Sequence, residues 1–243
     1  ILPSQDHERN MSQIAQHLLQ VKERIVQAAR RVGRGADHIQ LLAVSKTKPL
    51  EDIQAAYAAG QRRFGESYAQ EAALKIDTLR EQAACQDIEW HFIGPLQSNK
   101  SRLVAERFDW VQSVDRDKLI ERLNNQRPAG LAPLNVCLQI NISGESSKSG
   151  TSEQEIFRLA ALVDQSERLV LRGLMAIPEH TSDEAVLAAQ MRRMQALFTE
   201  LAQQYPSVDT LSMGMTEDLE TAVAHGRTMV RVGTAIFGAR DYS

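Results

Sequence analysis

IQLLAVSKTKP, residues 39–49, opens on a near-continuous apolar run and closes on Lys46 and Pro49. A run that short, without polar alternation, predicts a strand over 39–45 that is covered on both faces. Runs of the same kind recur at Arg63–Gly65, Trp90–Ile93, Trp110–Val114, Leu134–Ile142, Leu169–Ala176, Thr210–Met213 and Met229–Val232. Helical patterns fill the intervals near residues 50–59, 68–82, 99–107, 116–125, 152–164, 183–204 and 216–225. From Val44 to Val230 the strands come about every 27 residues, the length of a βα unit. The fold class expected is therefore α/β, a single-domain (β/α)8 TIM barrel. An additional N-terminal helix precedes it over Met11–Val32, with Ile14, Leu18, Val21, Ile25, Ala28 and Ala29 on one face and Gly33 as its stop.

An open doubly wound sheet shares the alternation of strands and helices. No GxGxxG follows the first strand and no GxxxxGK[ST] occurs, so the nucleotide-binding forms of that sheet lack their phosphate loops. The one low-complexity stretch, Ser143 to Ser152, is a polar loop too short to join domains. One barrel domain over 11–243 is expected. Residues 1–10 are set aside as a natural extension or a cloning remnant, because no Met precedes Met11.

Composition narrows the function classes. With 28 Lys+Arg against 31 Asp+Glu the formal net charge is -3, which argues against the basic surface of a nucleic-acid binder. Cys85 and Cys137 stand alone, outside any CxxC spacing, and with His180 and His225 they assemble no zinc pattern. Reduced thiols and a cytoplasmic location are expected. No apolar run reaches the roughly 18–20 residues of a membrane span, and ILPSQDHERN has no signal-peptide pattern. No membrane partner is expected.

In a barrel the chemistry sits at the C-terminal ends of the strands. Leu42, Val44 and Lys46 share one side of strand one, so one choice of face puts Lys46 at the barrel mouth. There its amine is either a desolvated nucleophile toward a carbonyl or a solvated lysine opening a loop. The last strand, MVRVGTAIFG (229–238), carries Arg231 and then Gly233 and Thr234 at the start of a short helix. Backbone N–H groups at such a turn suit an anion, although plain turn chemistry reads the same way. Ser212 and Gly214 end strand seven beside it. Lysine, arginine and anion seat together suggest a phosphorylated aldehyde. Asn141 either reaches the mouth from strand five or starts a turn, while Met175 and Met213 either pack on a flat ring or fill the core. His91 could serve as an acid or base at neutral pH, but with no Asp or Cys partner at motif spacing it reads rather as a packing or hydrogen-bonding histidine, and Glu66 is the one evident carboxylate at a strand end.

AVSKTKP (43–49), FGESYAQE (64–71), HFIGPLQSNK (91–100), QINIS (139–143), SKSG (147–150), GLMAIP (173–178), LSMGMTEDLE (211–220) and VRVGTAIFGAR (230–240) follow in chain order. In these motifs, and over nearly all of residues 11–243, the chain resembles the pyridoxal phosphate homeostasis protein family. The resemblance implies a single-domain barrel of the alanine racemase-like fold type III, carrying pyridoxal 5'-phosphate (PLP) on a lysine. It makes Lys46 the Schiff-base lysine, puts the phosphate near Ser212, Gly233 and Thr234, and sets Arg231 beside the pyridine nitrogen. Two positions depart from the pattern: Ser67 stands where the family usually has Asn, and Thr216 where it commonly has Ser. The shorter Ser67 puts any side-chain contact from that position in question.

What the resemblance implies is a PLP carrier serving vitamin B6 homeostasis, a monomer that makes transient contact with apo-enzymes. The alternative is a racemase-like enzyme of limited activity on amino acids. Racemases of this fold add a β-domain, whereas eight βα units here consume the chain by about Ala239. The loop after strand five carries Lys148, either a solvated lysine or an amine that draws PLP off Lys46 by transimination.

Overall fold

Each apolar run forms a strand: β1 (Gln40–Val44), β2 (Arg63–Glu66), β3 (Glu89–Phe92), β4 (Trp110–Val114), β5 (Leu134–Gln139), β6 (Leu169–Ala176), β7 (Thr210–Met213) and β8 (Met229–Val232). They close in sequence order into a barrel, every pairing parallel. The computed structural model describes residues 4–144, 149–178, 181–213, 218–226 and 228–239. Helices α1 (Gln5–Arg31), α2 (Leu50–Ala58), α3 (Ala69–Glu81), α4 (Ser101–Arg107), α5 (Asp117–Gln126), α6 (Ile156–Asp164), α7 (Glu184–Gln204), α8 (Leu219–Ala224) and α9 (Thr234–Phe237) occupy the crossovers and the two ends. The barrel expectation is met. Among the described residues no helix is long and apolar enough to cross a membrane.

The first helix begins at Gln5, upstream of the expected start at Met11. Ser4 caps it, its Oγ accepting from the His7 N–H at 3.3 Å, and Asn10 Nδ2 donates to Asp52 Oδ1 at 2.8 Å. Residues 5–10 therefore belong to the helix, which extends upstream of the start its apolar pattern predicts. The helix packs on α2, α8 and α9. Arg24 grips Glu220 of α8 with two bonds of 2.6 and 2.8 Å, and the His17 ring nitrogen Nδ1 meets the Ile236 carbonyl of α9 at 3.0 Å.

Alternate strand residues divide between two layers. Ala43, Phe64, Phe92, Val111, Leu138, Leu174, Leu211 and Val230 face outward and meet Ile53, Ile76, Val104, Leu119, Leu159 and Leu201 from the helices in the main core. Each of these side chains larger than Ala43 contributes roughly 1.5–3 kcal/mol by leaving water. The other parity faces the lumen. Val44, Gly65, His91 and Trp110 are lateral neighbours there, as are Gln139, Met175 and Ser212, and Leu42 lies beside Arg231.

Strand five ends earlier than the expected Ile142. Past Gln139 the chain is taken up by Thr151, whose N–H donates to the Gln139 carbonyl and whose carbonyl accepts from Asn141 N–H, both at 2.9 Å. Gly150 makes that closure possible, since it has φ +114 and a Cβ on it would stand 2.6 Å from the Asn141 nitrogen.

Candidate functional site

The sequence-derived residues converge on one end of the barrel. Lys46 lies just past the end of β1, Ser67 past β2 and Asn141 past β5. Met175, Ser212 and Arg231 are each the penultimate residue of β6, β7 and β8, and Gly233 and Thr234 lead from β8 into α9. Strand β1 pairs with β8, so Lys46 and the Arg231–Thr234 segment, distant in sequence, meet across a single strand boundary. A Cβ on Gly233 would come within 3.4 Å of both Val44 Cβ and the Val44 carbonyl, so the turn presses against the end of β1.

Arg231 is buried in the upper lumen. Its Nη1 donates to Ser212 Oγ at 2.8 Å and its Nη2 to the Ala176 carbonyl at 3.0 Å, both neutral acceptors. Burial pulls its pKa down to about 10, still far enough above neutrality to keep the guanidinium charged. Accepting from Arg231 leaves the Ser212 hydroxyl its own proton to donate. Thr234 is exposed at the start of α9, where the first N–H groups of a helix lack intrahelical partners. Met175 closes the lumen beneath, in a cluster with Trp110 and Cys137. Burial pushes the Cys137 thiol up to about 12, so it stays protonated and takes the part of an apolar filler.

Ser67 and Asn141 sit at the rim, half-buried. The Ser67 carbonyl stands 2.4 Å from where a Cβ on Gly94 would be, so the loop after β3 lies directly against it. Ser143 Oγ donates to Asn141 Oδ1 at 3.0 Å. Lys148, Thr216, Gly214 and His180 lie outside the described residues.

His91 has the packing and hydrogen-bonding role expected of it. It stacks on Trp110 at 4.8 Å and is fully buried. Its Nε2 meets Glu89 Oε1 at 2.7 Å and its Nδ1 meets Gln112 Nε2 at 2.9 Å. With the amide donating to Nδ1, the imidazole is neutral and gives its proton to Glu89. Burial pushes its pKa below the ordinary value, with Glu89 pulling the other way. A depressed histidine stabilises the fold fully above its unfolded pKa of about 6.5, and that contribution is lost as pH falls through the folded value. We expect the parent chain to lose more stability between pH 7.5 and 5.5 than His91→Gln does, by up to about 1 kcal/mol. Urea midpoints of the two proteins at both pH values measure it, and equal losses would remove His91 as the source.

The sequence reading missed the group behind Lys46. Glu66 was visible as a strand-end carboxylate, but its side chain turns outward, away from the lumen, to Ser45 and to Lys75 of α3. Lys75 Nζ donates to both Glu66 oxygens, at 3.0 and 3.1 Å. Burial pushes the Glu66 carboxyl above its usual range, and the Lys75 ammonium opposes the shift. The available signal was the i,i+4 pair Glu71–Lys75 on α3, 2.7 Å apart. At the opposite end of the barrel Arg63, Glu89, Asp109, Trp110 and Arg172 line a cavity of about 430 Å³. Both of its arginines are paired, Arg172 with Asp209 at 2.7 Å and Arg63 with Glu89 at 3.5 Å.

This closed parallel barrel, with its cluster of lysine, arginine and serine at the mouth, is of the alanine racemase N-terminal class: residues 16–241 match that domain's family model. Alanine racemase from Streptomyces coelicolor A3(2) has the same fold, with TM-score 0.71 at 18% identity over 95% of this chain and 59% of that one. The pyridoxal phosphate homeostasis protein of Escherichia coli K12 is 56% identical over 233 residues, covering 96% of this chain and 99% of that protein. PipY of Synechococcus elongatus PCC7942, solved with PLP bound, is 36% identical with TM-score 0.79, over 93% of this chain and 100% of that one. The chain belongs to the pyridoxal phosphate homeostasis protein family.

Proposed function

We propose that this chain is a cytoplasmic PLP carrier, which holds the cofactor covalently on Lys46 and supplies it to apo-enzymes. The observation that carries the reading is the juxtaposition across β1 and β8 of a half-buried lysine and a buried arginine followed by a glycine turn. The donor set suits PLP. A phosphate dianion needs hydroxyl and backbone donors, which Ser212, Gly233 and Thr234 can supply. The planar ring would rest above Met175, with Asn141 and Ser67 at its rim. PLP supplies, when bound, an aldehyde for a lysine amine and a conjugated ring that accepts electrons. PipY carries PLP in its own structure, and the relatives of over 50% identity bear the name of homeostasis proteins rather than of enzymes. The test is an absorbance spectrum of the chain mixed with PLP, followed by transfer to an apo-enzyme. A visible band with no transfer would reject the carrier role, and no band would reject the covalent one.

Arg231 bears on whether the chain is a racemase. A fixed guanidinium offers no acceptor and disfavours a second positive charge, so a pyridine nitrogen beside it stays unprotonated and the ring is a weaker electron sink. Amino-acid turnover should accordingly be slow or absent. Racemisation of a common amino acid at about 1 s⁻¹ or faster would sink the carrier reading.

A further inference from the structure

The backbone that presents Lys46 is held in a conformation its own sequence disfavours. Lys48 N–H donates to the Ser45 carbonyl at 3.0 Å, closing a four-residue turn with Lys46 and Thr47 at its centre. Thr47 has φ 65, the left-handed region. That position of a turn suits Gly or Asn, and a β-branched residue there is strained. Something outside the turn must hold it.

The holding group lies on the outer side of the barrel wall. Lys75 Nζ donates to the Ser45 carbonyl at 3.0 Å and to Glu66, and it pairs with Glu71 Oε1 at 2.7 Å. Glu71 Oε1 in turn accepts the Thr47 N–H at 2.7 Å, and Ser45 Oγ donates to Glu66. One buried ammonium and two carboxylates thus fix the residues on both sides of Lys46. Replacing a buried ion pair by apolar residues often costs no stability, so stability alone gives little reason for burying this one. Its contacts instead point at a single turn.

We propose that Lys75, Glu66 and Glu71 are positioning residues that hold the Thr47 turn and thereby aim the Lys46 amine at the cofactor aldehyde. The inference rests on the reading of Lys46 as the PLP lysine. In the step concerned the amine lone pair attacks the aldehyde carbon, a C=N bond replaces C=O, and the oxygen leaves as water. Aim governs the rate of such a step. Among the described residues the side-chain bonds of this group outside itself run to Ser45 and Thr47 and not to Ser212, Gly233 or Thr234, so the phosphate seat there should not depend on it.

That separation supplies the test. Glu71→Ala changes a partly exposed side chain, and the double variant Glu66→Gln/Lys75→Met removes the buried pair as a unit. Each is made alone and with Thr47→Gly, which adopts positive φ without help. Two quantities are measured: the rate at which PLP becomes fixed by borohydride, and the affinity for pyridoxine 5'-phosphate, which has the phosphate and ring but no aldehyde. Both clamp variants should slow fixation by about 10- to 100-fold with pyridoxine 5'-phosphate affinity unchanged, and Thr47→Gly should restore most of the rate. Fixation at the parental rate in Glu71→Ala overturns the proposal. So does a parallel loss of pyridoxine 5'-phosphate affinity, or a failure of Thr47→Gly to rescue, since either marks a merely structural role. A parent chain that fixes no PLP overturns the Lys46 assignment itself, a result distinct from variants matching a parent that does.

Discussion

Lys46→Ala should abolish the PLP adduct fixed by borohydride while leaving the melting temperature close to that of the parent. The side chain is half-buried past the end of β1, and the backbone on both sides of it is held through Ser45 and Thr47. Truncation at such a position usually changes stability by within about 0.5 kcal/mol. Noncovalent binding should persist, because Ser212, Gly233 and Thr234 are untouched. Peptide mapping of the reduced adduct checks the assignment, and a label on Lys48 or Lys100 would refute it. The structure argues against Lys48, whose Nζ donates to the carbonyls of Gly238 and Ala239 at 3.2 and 3.0 Å.

The barrel was legible because its strands are covered on both faces and therefore read as apolar runs, whose spacing then gave the βα unit. The candidate site was legible where its residues end those runs: Lys46, Ser212 and Arg231 needed only a strand boundary to be located at one end of the barrel. The Glu66–Lys75 pair was not legible, because whether Glu66 faces the lumen or the helices depends on a parity that sequence leaves open. The same limit applies to Met175. Counted by alternation from Leu169 and Leu171, which face the helices, Met175 should face them too. It lies in the lumen because Val136 pairs with Leu171 but Cys137 with Gly173, leaving Arg172 as an extra residue that reverses the parity of the strand. An isolated Gly within a strand pattern was the only hint of that bulge.

Gly173→Ala should consequently be the most damaging small substitution in the barrel wall. Gly173 has φ +155, and a Cβ on it would stand 1.7 Å from the Thr210 carbonyl oxygen. That oxygen belongs to the backbone of the neighbouring strand β7, so no rotamer change relieves the contact and β6 must part from β7. A clash of this kind belongs with the exceptional substitutions that cost more than about 4 kcal/mol, a large share of the 5–15 kcal/mol typical of a whole domain. The same displacement would carry Met175 away from Ser212, its partner in the β6–β7 register, so whatever protein does fold should bind pyridoxine 5'-phosphate weakly. Gly60→Ala is the control. Gly60 has φ +102 with nothing within 4 Å of the added carbon, so it tests backbone strain without a steric clash. At about 2–4 °C per kcal/mol for a chain of this size, Gly173→Ala should melt at least 8 °C below the parent, if it is soluble, and well below Gly60→Ala. Equal melting of the two variants would mean that the approach of Thr210 is not what holds the bulge, and the placement of Met175 and Ser212 at the mouth would need another cause.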